Sequence, residues 1–241
     1  MPVNREWRYL IIYGFLNISV YLGLYVIAMQ NVSAGFGSIG VVINPVFIAM
    51  ISAVWFKHRL QTRQVLSLVI CLAGVILVAF PLLQIGFTTL EGILILMCSM
   101  LAYSLGTVFY SRINWKGLDT MTINGWQTLF GGLFLLPVLM FTYQDDQNLF
   151  NNDFWMATLW LALPVSVIAV QLWLFLLRKN AVSASYWLFL CPVFGFFIAW
   201  VLMDEPITYY TFFGVMLIMA GLYVLQRMNG SDRTVKSVTL K

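Results

Sequence analysis

VSAGFGSIGVVINPVFIAMISAVWFKHRL, residues 32–60, is an apolar run that begins with small residues and carries Asn44 and Pro45 near its middle. A looser copy, VSASYWLFLCPVFGFFIAWVLMDEPI, occupies residues 182–207. Both stretches begin with Val-Ser-Ala, and both contain Pro-Val-Phe, starting at Pro45 and at Pro192. A long-period duplication with a proline-broken apolar helix at matching places is typical of membrane proteins that are built from structural repeats.

The composition of the chain supports a membrane location. Of its 241 residues, 61% are hydrophobic and only 9% are charged. A soluble domain of this length could not bury so much apolar surface, so the lipid bilayer is the expected solvent. The three cysteines, Cys71, Cys98 and Cys191, lie inside apolar segments and are interpreted as small hydrophobic residues. Because the basic residues sit at helix ends, no nucleic-acid partner is predicted.

Segmentation by hydropathy predicts an all-α polytopic protein, since a spanning helix needs roughly 20 apolar residues. Eight segments of the chain meet this condition, and together they leave only short connections apart from residues 144–153. The segments are Trp7–Met29, Ser33–Phe56, Arg63–Leu82, Leu90–Arg112, Met121–Tyr143, Phe154–Leu177, Ser183–Met203 and Ile207–Arg227.

The charge pattern supports the count of eight spans. If the spans alternate in direction, all 13 Lys and Arg fall on one side of the membrane. The positive-inside rule makes that side cytoplasmic, with both termini inside. The basic residues are Arg5, Arg8, Lys57, Arg59, Arg63, Arg112, Lys116, Arg178, Lys179, Arg227, Arg233, Lys236 and Lys241, whereas Glu91, Asp145, Asp146, Asp153, Asp204 and Glu205 lie on the opposite side.

Alignment of the two Pro-Val-Phe sites divides the chain into two unequal copies. It places the first predicted span against the sixth, so that the second copy has five helices and the first copy only three. Because five is odd, two complete copies would lie in opposite orientations, as an inverted repeat. The expected domains are residues 1–83 for the incomplete first repeat, residues 84–228 for the second repeat, and residues 229–241 for a polar, disordered cytoplasmic tail.

Four features together resemble the EamA-type family of the drug/metabolite transporter superfamily over essentially the whole chain. These are Ser-Ala at a helix start, a mid-helix proline, a charged turn, and a following helix with Ala-Gly. Asp204-Glu205-Pro206-Ile207 stands where the family usually has Gly-Glu-Arg-Leu, and Lys57-His58-Arg59-Leu60 replaces that motif in the first copy. Family members usually have ten helices, so the resemblance implies that the first two are missing here.

Candidate functional residues are polar or aromatic groups within the predicted spans. Proline removes one helical hydrogen bond, and the carbonyl groups it leaves unpaired can face a polar cavity; structural kinks without a ligand are the alternative. Aromatic faces with amide and hydroxyl partners suit a small amphipathic solute, although helix packing explains them equally well. The predicted substrate pathway contains Asn17, Tyr21, Asn44, Pro45, Ser99, Tyr103, Gln127, Ser166, Gln171, Trp173, Cys191 and Pro192.

The leading interpretation is a carrier in the cytoplasmic membrane that works by alternating access, and the resemblance implies export of amino acids or related metabolites. The alternative is a membrane protein that does not transport, either an inactive truncated member or a scaffold that pairs with another chain. An enzyme is not predicted, and neither catalytic residues, a metal site nor a cofactor are expected. The expected partners are a small-molecule metabolite and the bilayer. A homodimer is a further possibility that the sequence does not decide.

Overall fold

In the computed structural model, the described residues form helices and no strands, which confirms the all-α polytopic fold. The structure describes residues 2, 4–32, 37, 40–55, 61–83, 89–115, 117–143, 150–191, 193–194 and 209–238. Within them, eight helical stretches correspond to the eight predicted segments. They are α1 (Asn4–Met29), α2 (Asn44–Trp55), α3 (Thr62–Leu83), α4 (Leu90–Arg112), α5 (Thr120–Thr142), α6 (Asn152–Lys179), α7 (Ala181–Phe189) and α8 (Tyr209–Val238).

Side-chain caps explain where several of these helices begin. Thr89 accepts a hydrogen bond from the backbone N–H of Gly92 at the start of α4, at 3.1 Å. Asp119, Asn151 and Asn180 cap α5, α6 and α7 in the same way. Each cap satisfies a backbone donor that has no partner inside the helix. The helix starts are therefore fixed by local chemistry that the apolar spacing alone does not show.

Four helices of the described chain are long and apolar enough to cross a membrane: Arg5–Met29, α4, α5 and Asn152–Lys179. Their burial differs greatly, because half of the apolar window of α4 is buried but only 6% of that of α6. Large side chains such as Phe141, which is 91% exposed, point outwards. Apolar surface on this scale fits a hydrocarbon surrounding, with α4 at the centre of the bundle.

Two of the long helices contain π-helical segments. In α1 the segment is Phe15–Val20, and in α6 it is Leu161–Ala169. Cys71 and Ile218, which are in contact, are 147 residues apart in the sequence. A shift of the first segment by the same 147 residues places it on residues 162–167, inside the second segment. The same offset joins Pro45 to Pro192. The two π-helical segments therefore lie at matching places of the two predicted copies.

Helices α3 and α8 pack along each other with reciprocal contacts. The hydroxyl of Ser67 donates to the carbonyl of Gly221 at 2.6 Å. A Cβ atom on Gly74 would lie 2.7 Å from the carbonyl oxygen of Gly214. With the offset of 147 residues, Ser67 corresponds to Gly214 and Gly74 corresponds to Gly221. The contact between Ser67 and Gly221 is therefore the counterpart, in the other copy, of the contact between Gly214 and Gly74. Reciprocity of this kind is the signature of a two-fold relation between the helices.

The last helix extends into the polar segment that follows the predicted spans. Helix α8 continues as far as Val238, well past the predicted end of the last span at Arg227. Residues 228–238 contain no proline. Once a long helix has formed, each further residue adds a hydrogen bond without a new nucleation cost, so polar residues can extend it.

Candidate functional site

Four of the predicted pathway residues come together from α1, α4, α6 and the segment after α7. The rings of Tyr21 in α1 and Tyr103 in α4 lie 4.8 Å apart between centroids. The Tyr103 hydroxyl interacts with the Trp173 side chain of α6, and both tyrosines lie near the thiol of Cys191, which follows α7. Tyr21, Tyr103 and Trp173 are all half-buried. We call these four residues the aromatic cluster.

Helices α1 and α4 approach closely beside the aromatic cluster. The hydroxyl of Ser99 donates to the Tyr21 carbonyl at 2.8 Å and joins the two backbones. Two turns further along α4, the missing side chain of Gly106 leaves room for Asn17, whose Cβ would lie 3.6 Å from an added methyl group. Tyr13 on the same face of α1 is buried, and its ring packs on that of Tyr110 with 5.1 Å between the ring centroids. Small residues of this kind allow helices to pack closely in lipid.

The helix break before Pro45 places the buried side-chain amide of Asn44 against α4. The helix is interrupted at Ile43, immediately before Asn44 and Pro45, which are both buried. The Asn44 carboxamide oxygen accepts a hydrogen bond from Ser104 at 3.2 Å. This contact joins the two helices at the place where the sequence predicts a polar kink. The corresponding Pro192 lies outside the described residues.

A chain of side-chain amides connects the two π-helical segments through α5. Asn17 donates to Gln127 at 3.4 Å, Gln127 donates to Asn124 at 2.9 Å, and Asn124 donates to the backbone carbonyl of Ser166 at 2.7 Å. We call Asn17, Gln127 and Asn124 the amide chain. Its end residues lie in different predicted repeats, since Asn17 belongs to α1 and Ser166 to α6.

The amide chain ends at one buried acceptor. The carboxamide oxygen of Asn17 has no hydrogen-bond partner in the structure. The same is true of the oxygen of Gln171, whose N–H₂ group donates to the Thr120 hydroxyl at 2.7 Å. Gln171 of α6 therefore contacts the start of α5. A polar atom of this kind is costly in a membrane protein and marks a place where a donor is missing.

Two open spaces lie along the bundle, and the second borders the amide chain. A cavity of about 460 Å³ lies between the start of α1 and the end of α4, where Arg5, Glu6 and Arg112 meet. A groove of about 710 Å³ runs between α5 and α6, and Asn124 and Ser166 contribute to its lining. Because Arg5 and Arg112 share one cavity, the basic ends of α1 and α4 lie at the same side of the bundle, as the charge pattern predicts.

At the same side, a positively charged side chain holds α6 against α4. Arg178 donates through Nε to the hydroxyl of Tyr110 at 3.1 Å and through its terminal nitrogen to the carbonyl of Leu118. Leu118 follows Gly117, whose φ of 85° belongs to the left-handed region that glycine adopts without strain. The loop between α4 and α5 is therefore tied to the end of α6.

Sequence reasoning missed several residues that the structure connects to the predicted pathway. Asn124 is the central acceptor and donor of the amide chain, and Ser104 is the partner of Asn44. Both are polar residues inside predicted spans, and this was the only feature of the sequence that could have pointed to them. Their roles depend on which helices are neighbours, and hydropathy does not specify that.

The described geometry is that of a polytopic membrane protein with a polar and aromatic interior. A family model described as the EamA-like transporter family matches residues 1–80 and 90–227. The chain belongs to this family, which confirms the resemblance seen in its sequence.

Curated relatives agree with this assignment, and a solved structure shares the fold. The chain is similar to the uncharacterized transporter YoaV of Bacillus subtilis (strain 168), with 26% identity over 215 residues that cover 85% of this chain and 70% of the relative. It is also similar to Protein PecM of Dickeya dadantii (strain 3937), with 25% identity over 237 residues, 98% of this chain and 78% of the relative. One known crystal structure matches with a TM-score of 0.77 at 17% identity, over 93% of this chain and 78% of that one, and shows the fold alone.

Proposed function

We propose that the protein carries a small organic solute across the cytoplasmic membrane, as an exporter of amino acids or related metabolites. The aromatic cluster is the observation that carries this proposal. It offers ring faces for the apolar part of a solute, and the amide chain next to it offers hydrogen bonds for a polar part. Membership of a transporter family supports the same conclusion.

Alternating access between two repeats is the mechanism that we propose. Residues 1–83 and 84–228 form the repeats, and residues 229–241 form the cytoplasmic tail. The reciprocal contacts of α3 with α8 and the matched π-helical segments support this division. The basic side of the bundle faces the cytoplasm, together with both termini. Rocking of one repeat against the other would open the aromatic cluster to each side in turn.

The test is solute flux in proteoliposomes, with L-phenylalanine and 2-phenylethylamine as probes. Trp173→Ala should abolish saturable flux, because Trp173 belongs to the aromatic cluster. Trp160→Ala is the matched control, since Trp160 lies on the same helix but is 65% exposed towards lipid. Asn44→Leu should also abolish flux while the protein still inserts. Wild-type flux no greater than that of protein-free liposomes for both probes would contradict the proposal.

A membrane scaffold that pairs with another chain is the second candidate, and the low burial of α6 favours it. An exposed spanning helix can bind a further helix as well as lipid. Site-specific crosslinking from Leu159, which is 57% exposed, would distinguish the two candidates. A scaffold predicts a stoichiometric crosslinked protein together with absent flux, whereas a carrier predicts flux that does not depend on such a partner.

A further inference from the structure

The π-helical segment of α6 changes the hydrogen bonding of its own backbone. In an α-helix the N–H of Val170 would bond to the carbonyl of Ser166, four residues before it. Here it bonds to the carbonyl of Val165, five residues before it. The Ser166 carbonyl is thereby released from Val170 and accepts the side chain of Asn124 at 2.7 Å.

That backbone carbonyl sets the direction of the whole amide chain. A carbonyl oxygen can only accept, so Asn124 must donate to it and must present its own oxygen to Gln127. Gln127 then donates to Asn124 and presents its oxygen to Asn17. Asn17 in turn must donate to Gln127, and this leaves its carboxamide oxygen as an acceptor without a donor. Reversal of the amides would place two oxygen atoms against each other at Ser166.

The location of that acceptor connects it to the aromatic cluster. Asn17 is half-buried, packs on Gly106 of α4, and lies one turn from Tyr21. Tyr103, whose ring packs against that of Tyr21, also lies near Tyr13, which is one turn from Asn17 in the other direction. A solute whose ring lies against the cluster would therefore have its polar end near Asn17. Within the described residues, Asp, Glu, Lys and Arg are confined to the ends of the spanning helices, so Asn17 supplies a neutral acceptor.

We infer that the Asn17 carboxamide oxygen, held as an acceptor by the π-helical segment of α6, accepts a hydrogen bond from an N–H or O–H group of the transported solute. The inference rests on the proposed carrier function and narrows its substrates to solutes with a hydrogen-bond donor next to an aromatic or apolar body. Gln127 is a positioning residue, because it orients Asn17 without contact to the solute.

The test compares two cationic probes of similar shape in proteoliposomes: 2-phenylethylamine, which carries N–H donors, and its N,N,N-trimethyl derivative, which carries none. The trimethyl derivative would leave the buried Asn17 oxygen without a donor. That penalty corresponds to a flux about 5- to 150-fold higher for the primary amine than for the trimethyl derivative. Asn17→Leu keeps the side-chain volume but removes the acceptor. The variant should therefore retain only the preference that follows from the smaller size of the primary amine.

Two further variants separate positioning from general damage to the fold. Gln127→Leu should reduce the preference between the probes although Asn17 is present. Ser19→Ala is the control on the same π-helical segment, because Ser19 bonds to the carbonyl of Gly131 and not to the amide chain, and the preference should stay at the wild-type value. Flux with an unchanged preference in Asn17→Leu would overturn the inference and leave the carrier function standing. Absence of wild-type flux for both probes would overturn the carrier function as well.

Discussion

Two adjacent glycines of α5 provide a sharp test of the helix packing. A methyl group on Gly131 would overlap Cβ of Ile18, and it would lie 2.7 Å from Cγ2 of Ile18 and 2.8 Å from the carbonyl oxygen of Gly14. A methyl group on Gly132 would have no atom within 4 Å. The two positions share the same helix and nearly the same depth, but only Gly131 lies in the contact with α1.

The expected free energies follow from these distances. Replacement of glycine by alanine inside a helix stabilises it by about 1 kcal/mol. Overpacking costs about 1–3 kcal/mol, and the clashes at Gly131 involve a backbone oxygen and a Cβ, neither of which can move easily, so the upper value applies. Gly131→Ala should therefore destabilise the protein by about 2 kcal/mol, whereas Gly132→Ala should stabilise it by about 1 kcal/mol.

The assay is thermal unfolding of the purified protein in detergent, followed by tryptophan fluorescence. For a protein of this size, 1 kcal/mol corresponds to about 2–4 °C in Tm. Gly131→Ala should lower Tm by about 4–8 °C, and Gly132→Ala should raise it by about 2–4 °C. Equal shifts in the two variants would refute the described contact between α1 and α5.

Two further variants test the contacts of α4. Arg178→Gln should increase hydrogen exchange in residues 113–119, because Arg178 binds Leu118 in this loop and Tyr110 in the last turn of α4 before it. Lys179→Gln is its control, since Lys179 lies over the ring of Phe175 at 4.6 Å, and equal exchange in both variants would contradict the role of Arg178. Ser104→Ala removes the donor to Asn44 and should destabilise the protein by about 0.6–1.7 kcal/mol in a bilayer denaturation assay. Ser111→Ala removes a bond within α4 alone and should have little effect, so a larger loss there would argue against the Asn44 contact.

The sequence predicted the spans well because hydrocarbon demands long apolar helices. Leu90–Arg112 is found with the predicted bounds, and α3 and α5 begin and end within one residue of theirs. The break at Asn44-Pro45 was also readable, since proline cannot donate the helical hydrogen bond. These features depend on local composition, which one sequence contains in full.

The amide chain could not be predicted, because it depends on backbone geometry. A π-helical segment changes the hydrogen-bond register without a distinct residue signal, so counting by the α-helical period fails across Phe15–Val20. Tyr13 packs on Tyr110 and Tyr21 packs on Tyr103, both in α4, whereas Asn17 between them also reaches Gln127 in α5.

The account depends on spans that cross a bilayer in alternating directions, with the basic side of the bundle in the cytoplasm. Single cysteines at Asn114 and Asn151, in a background without Cys71, Cys98 and Cys191, test this directly, since both positions are exposed at opposite ends of α5. A membrane-impermeant maleimide should label the Asn151→Cys protein in intact cells and the Asn114→Cys protein only after permeabilisation. Labelling of both from the same side would contradict the topology and the carrier mechanism that requires it.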